Sequence, residues 1–388
     1  MKVLVNATPL LSPLTGIGQY IRHLFTAMQQ TGKTELRLYT GVRCLDMVTL
    51  PPEGVSAARQ RGYNWLQRVL PRPRTLRRVA EKLMFARHSR WQGKNALYHE
   101  PNYIALPYAG PLVLTVCDMS CFDHPETHPQ ERVRLMEKHF PESLQRADQI
   151  IVISNSAGYA LQRWFGIEPG RITTTYLAAD ARFRPRDPAT LAPALAGLGL
   201  TPAQYILSVG TLEPRKNLGT LFAAYAGLPA RLRERYPLVV AGMSGWLTGQ
   251  LLRSAEDMVK RREIRFLGYV PDALIPPLFA GAAVFSYPSR YEGFGLPVLE
   301  AMASGVPVIT SNTTSLPEVV GDAGVMLDPD DVQGLTNRLQ QMLEDRVAAA
   351  TLGGLGLARA QTFSWARCAD ETLAVYEAAL AGRGVRVG

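Results

Sequence analysis

Short, nearly unbroken apolar runs recur along this chain, separated by segments in which apolar and polar residues alternate at helical spacing. In the first half the runs are Val3–Val5, Leu36–Tyr39, Ala96–His99, Leu112–Val116 and Ile150–Ile153. A strand that is apolar on both faces is buried on both, which is the condition of a parallel sheet covered by helices. The stretch Phe183-Arg-Pro-Arg-Asp-Pro188, with the Ala/Gly/Pro-rich residues that follow to Pro202, reads as a linker. A second alternation then begins at Tyr205-Ile-Leu-Ser-Val-Gly210 and continues through Leu238–Gly242, Ile264–Gly268, Ala282–Tyr287 and Val306–Ile309. The pattern predicts an α/β chain of two Rossmann-like, doubly wound domains facing a cleft, with ligands at the carboxyl ends of the strands.

The densest chemistry follows the run Ala282–Tyr287. Tyr291-Glu-Gly-Phe-Gly-Leu-Pro-Val-Leu-Glu300 holds two carboxylates, two glycines and a helix start, with Pro297 suited to the first turn and Gly305 to the C-terminal cap. Gly293-Phe294-Gly295-Leu296 therefore feeds a helix N-terminus at the end of a strand, where backbone N–H groups and the helix dipole attract phosphate. Glu292 precedes the helix, and Glu300 lies about one turn inside it, where its carboxylate can accept paired hydrogen bonds from vicinal hydroxyls. A solvent-facing helix with scattered acids near its positive end is the plainer alternative.

Three other places carry candidate groups. Gly210-Thr-Leu-Glu-Pro-Arg215-Lys216 follows a strand, and adjacent cations in such a loop suit a diphosphate: arginine as a bidentate fork, lysine as a point charge. Thr15-Gly16-Ile17-Gly18 sits between the first strand and a helical pattern. Val116-Cys117-Asp118 comes at the end of another strand, with His124 a few residues on.

Glu292-Gly-Phe-Gly-Leu-Pro-Val-Leu-Glu300, continuing through Ala-Met-Ala-Ser-Gly-Val-Pro-Val, resembles the E-x7-E signature of retaining GT-B glycosyltransferases of family 4, including bacterial O-antigen and polysaccharide mannosyl- and rhamnosyltransferases. The resemblance implies an acceptor-binding domain over 1–185, a nucleotide-sugar-binding domain over 200–363, and a C-terminal helix at about 364–386 returning to the first domain. It implies catalytic roles for Glu292, Arg215, Lys216 and Asp118. It places the donor against Glu300, Gly293, Phe294, Gly295, Leu296, Gly16, Gly18, Cys117, Gly210 and the backbone near Val270. Many relatives carry His-Asp where this chain has Cys117-Asp118, the histidine reaching the donor sugar near its C6 hydroxyl. Cysteine behaves as a small hydrophobe with a weak donor, so it suits a methyl better than a hydroxymethyl. That favours a 6-deoxy donor such as GDP-D-rhamnose, with GDP-mannose or a UDP-hexose as alternatives; His124 could instead supply an imidazole. The implied reaction is retaining hexosyl transfer to a lipid-linked glycan, without a metal or cofactor. A nucleotide-sugar 2-epimerase and a non-catalytic nucleotide-binding scaffold are the competing readings.

Composition adds one feature. Net charge is +9, and eleven Lys or Arg fall between Arg59 and Lys94 against the single acid Glu81. Trp65, Leu66, Leu76, Leu83, Phe85 and Trp91 interleave with these cations, and apolar spacing from Thr75 to Trp91 fits an amphipathic helix. A basic helix with aromatics is the pattern of an anionic membrane contact, here the inner face of the cytoplasmic membrane; an ordinary surface helix packed on its own domain is the alternative. No nucleic-acid motif accompanies the patch, and no apolar run reaches the roughly 20 residues of a membrane span. The four cysteines, Cys44, Cys117, Cys121 and Cys368, show neither metal-like pairing nor a disulfide framework, which fits a reducing cytoplasm. Anionic liposomes are expected to cosediment the protein at low salt and to release it at high salt; salt-insensitive binding, or none, would remove the electrostatic docking.

Overall fold

The computed structural model describes residues 1–11, 16–41, 43–48, 83–89, 96–243, 245 and 249–384. Strands β1 (Lys2–Asn6), β2 (Glu35–Tyr39), β3 (Cys44–Leu45), β4 (Leu97–Glu100), β5 (Leu112–Val116), β6 (Gln149–Val152) and β7 (Ile172–Thr174) form one sheet in the order β3-β2-β1-β4-β5-β6-β7. All its pairings are parallel except β2 with β3. Strands β8 (Ile206–Val209), β9 (Leu238–Ala241), β10 (Ile264–Gly268), β11 (Val284–Tyr287), β12 (Val308–Ser311) and β13 (Val325–Leu327) form a second, wholly parallel sheet ordered β10-β9-β8-β11-β12-β13. The interior strands β4, β5, β9, β11 and β12 are buried throughout, which is why they read as apolar runs.

Strand order reverses between β1 and β4 in the first sheet and between β8 and β11 in the second. At such a switch point the neighbouring crossovers leave in opposite directions and open a crevice at the carboxyl ends. The Arg215-Lys216 loop follows β8 and the Glu292 loop follows β11, so the two densest motifs meet at the crevice of the second sheet. The helix Trp365–Gly384 returns to the first domain, lying on the helix Gly16–Gln30 and on β5 and β6. There Tyr376 shares a 2.6 Å hydrogen bond with His99, whose other ring nitrogen meets Thr115 at 2.7 Å, all in the core.

Two expectations change. The stretch read as linker contains a helix, Pro188–Ala196, with Pro188 in its first turn, an Asp187 side chain accepting from Ala189 N at 2.7 Å, and Leu191 and Leu195 buried. Its packing beside the helix Ile275–Ala280 supplies what its proline- and alanine-rich pattern does not announce. Of the basic segment 59–94 only 83–89 lies within the described residues, as a helix. Phe85, counted among the aromatics of a membrane-facing surface, is fully buried against Tyr98 and Tyr39 at 4.8 and 5.2 Å, so it belongs to the domain core; Leu83 is 67% exposed.

The ends of β8 and β9 approach so closely that side chains do not fit. Gly242 has φ +149°, and a Cβ there would lie 1.9 Å from the carbonyl oxygen of Gly210. Gly242→Ala is therefore expected to cost about 1–3 kcal/mol in chemical denaturation; an unchanged midpoint would show that the loop relaxes freely.

Candidate active site

Lys216 and Glu292 form the centre of the site. The short turn Pro214–Lys216 is closed by Asn217 in a left-handed conformation (φ +54°), whose amide donates to the carbonyls of Pro288 and Pro329 at 3.1 and 2.6 Å. That anchors the loop after β8 to the loop after β11. Lys216 Nζ then reaches Glu292 Oε1 at 2.7 Å and Tyr287 Oη at 2.5 Å. Ser289 donates a further 2.6 Å bond to the same carboxylate oxygen. Burial opposes ionisation of Glu292, but Lys216 and Arg215 outweigh it and hold its carboxyl below the usual range. Arg215 donates to the carbonyl of Tyr291 at 3.1 Å and pairs with Glu213. It too resists burial, because Glu292, Asp118 and Glu213 surround it and raise its pKa further.

Gly293 has a function that spacing alone does not reveal. A Cβ at this position would sit 2.2 Å from the carbonyl oxygen of Cys117 and 3.0 Å from the Cβ of Asp118. The glycine read as admitting a phosphate thus also admits the opposite domain. Gly295 takes φ +107° as the residue before the helix Leu296–Ala303. Phe294 points away: its ring is buried near Tyr176 and Phe363, at 6.1 and 6.0 Å, leaving its backbone on the site. Ser315 Oγ lies at hydrogen-bond distance from the carbonyls of both Glu292 and Phe294, at 3.0 and 2.9 Å.

Across the seam, Cys117 is buried with Sγ 4.0 Å from the Pro101 carbonyl, and desolvation pushes its thiol far above the usual range, so it stays neutral. Asp118 accepts from the backbone and hydroxyl of Ser120 at 2.9 and 2.6 Å; burial raises its pKa, yet Arg215 and these bonds bring it below normal. Its own N–H donates to Tyr103 Oη at 3.0 Å. Tyr291 bridges the domains, accepting from Met119 N at 3.2 Å and donating to Asp123 at 2.9 Å, with the His124 ring edge-on at 5.3 Å. Glu318 of the second domain accepts from Asn155 N and Ser156 N at 2.8 and 2.7 Å, completing the N-terminus of the helix Asn155–Phe165 in the first. Ser154 caps that helix, accepting from Ala157 N at 3.1 Å.

Glu300 lies apart from this centre. It is half-buried; desolvation, then the nearby charge of Asp180, with Asp272 adding, push its carboxyl up to about 8 despite Arg182. Arg182 pairs with Asp180 at 2.7 Å and Asp272 at 2.8 Å, and Arg22 meets Asp272 at 3.3 Å, so the first and second domains meet there. Val270 is buried two residues before Asp272. Gly210 adopts φ +155° beside the Lys216 side chain. Gly16 and Gly18 fall in the first turn of the helix Gly16–Gln30 rather than in a loop, Gly16 exposed and Gly18 buried; residues 12–15 are outside those described. Sequence reasoning passed over Tyr291, Glu213, Arg182, Asp272 and Glu318; apart from the Glu213–Arg215 and Arg182–Asp180 pairs, their partners are distant in the chain.

The two doubly wound sheets are those of GT-B glycosyltransferases. Solved structures share them over nearly the whole chain: a sucrose-phosphate synthase from Thermosynechococcus elongatus (TM-score 0.74, 23% identity, 98% of this chain and 99% of that one) and WaaG, a glycosyltransferase involved in lipopolysaccharide biosynthesis (0.71, 17%, 96% and 98%). Residues 199–353 match the family described as "Glycosyl transferases group 1". O-antigen chain mannosyltransferase B of Escherichia coli is 40% identical over 381 residues, covering 97% of this chain and all of that protein. The chain belongs to the group 1 glycosyltransferases.

The position of Glu300 gives a pH signature. Its folded pKa, about 8, exceeds the ordinary 4.5, so between these values the folded state holds a proton the unfolded state has lost. Its contribution is therefore full at low pH and declines as pH rises to about 8. Glu300→Gln is expected to melt with the wild type near pH 5 and above it at pH 8.5; parallel curves would show a normally titrating carboxylate.

Proposed function

We propose that this glycosyltransferase moves mannose from GDP-mannose to a hydroxyl of a growing, lipid-linked O-antigen-type glycan, retaining the anomeric configuration. The observation that carries this reading is the buried Glu292–Lys216 pair with Arg215 beside it, at a helix N-terminus and facing Cys117-Asp118. Cations and N–H groups aimed at one point stabilise the charge that develops on a departing diphosphate. Arg215 and Lys216 take the phosphates, and the helix N-terminus adds its dipole. Glu292 accepts hydroxyls of the donor sugar, Glu300 meets the ribose diol, and Asp118 holds Arg215 in place from the other domain. The C1–O bond to phosphate breaks as the acceptor oxygen bonds to C1 on the same face, and the leaving phosphate oxygen takes the acceptor's proton. Neutralisation by side chains makes a metal unnecessary, so activity should survive EDTA.

Mannose is supported by the name of the full-length relative. Cys117 favours a second reading, GDP-D-rhamnose, because its neutral, buried thiol offers a C6 group little hydrogen bonding. Turnover of the two donors compared side by side separates them. The lipid-linked acceptor and a place at the inner membrane face rest on the basic segment and on the same relative; among the described residues no helix is long and apolar enough to cross a membrane. Lys216→Ala and Glu292→Ala are each expected to lower kcat by about 10²-fold or more, with the melting transition still cooperative. Near-normal transfer by either variant would refute these roles.

A further inference from the structure

The switch point of the first sheet also has a cavity, of about 210 Å³, which none of the residues discussed so far lines. Asn6 and Glu100 reach it from the carboxyl ends of β1 and β4, and Asn102, His139, Glu142 and Arg146 complete its polar lining. Asn6 and Glu100 are buried and fixed: Glu100 accepts from Asn6 Nδ2 at 2.8 Å, Tyr98 Oη at 2.6 Å and Asn102 N at 3.0 Å. Ile104, Leu106 and Pro107 give one apolar wall.

Two features define what such a space accepts. Its volume, about 210 Å³, is on the scale of a single sugar ring rather than a nucleotide. Its charge is unsuited to phosphate, because two carboxylates face one guanidinium, and Arg146 already donates to the carbonyls of Leu106 and Tyr108 at 3.1 and 3.4 Å. Carboxylate and amide groups beside an apolar wall suit the hydroxyls and C–H face of a neutral pyranose. The cavity also adjoins the seam. Asn102 lies between Pro101, whose carbonyl faces Cys117 Sγ, and Tyr103, whose hydroxyl accepts from Asp118 N.

We propose that this cavity is the acceptor subsite, taking the terminal hexopyranose of the glycan through Asn6, Glu100, Asn102, His139 and Glu142. The proposal rests on the hexosyl-transfer reading and adds where the acceptor sugar is recognised. Glu142 is exposed and Asn102 half-buried, so variants there leave the core intact. The test uses a synthetic mannose-terminated trisaccharide on an octyl aglycone, with full-length wild type, Glu142→Ala, Asn102→Ala and the double variant. The acceptor KM should rise about tenfold in each single variant and further in the double one, while the donor KM and the slow hydrolysis of donor without acceptor stay at wild-type values. An unchanged acceptor KM in the double variant, or a donor KM rising in step, overturns the subsite alone. A wild type that neither binds nor hydrolyses any nucleotide sugar overturns the transfer reading, and the subsite with it.

Discussion

A buried lysine–glutamate pair is the interaction on which the catalytic face depends. Removing two charges from water costs several kcal/mol per ion, and attraction alone recovers this only when other hydrogen bonds complete both groups. Here Tyr287 and Ser289 do so, and both belong to β11 or the loop just after it. The pair therefore ties two loops from adjacent strands at the second sheet's switch point. With Arg215 and its ring of carboxylates next to it, the charges form a balanced group that a donor can re-partner: phosphates toward the cations, hydroxyls toward the acids.

Closure of the domains relies on the same few residues. Gly293 lets the Glu292 loop meet the backbone of Cys117 without a side chain between, and Tyr291 next to it makes the cross-domain hydrogen bonds. Asp118 contributes its field to Arg215 from across the seam. At the far end, Arg182 and Asp272 join the two domains, and Glu318 finishes a helix of the opposite domain. Opening the cleft would separate Tyr291 from Met119 and Glu318 from the 155–165 helix, exposing polar groups that are paired when closed. That arrangement suits an enzyme which must admit its donor and then exclude water.

Legibility followed burial. The interior strands are apolar because both faces are covered, so Leu112–Val116 and its neighbours could be located from pattern alone. The short strands Cys44–Leu45, Ile172–Thr174 and Val325–Leu327, together with the 188–196 helix, are not marked by the pattern; the three strands are only half-buried and two or three residues long, too short for a run to stand out. Motif residues were recognisable one loop at a time, Arg215-Lys216 in one and Glu292 to Glu300 in another. Their pairing was not, because a residue's partners across 70 or more positions depend on strand order rather than local spacing.

By itself the sequence determined the class of architecture, the loops that carry charge at strand ends, and the departure to cysteine at position 117, since these follow from local hydrophobicity, turn chemistry and side-chain type. Only the tertiary structure decided that Glu292 is held by Lys216, that Gly293 serves domain contact, that burial and then Asp180 raise the Glu300 carboxyl, and that Phe85 is core. Electrostatics and close packing are pairwise properties of distance, and those distances come into existence only when the two sheets fold and face one another.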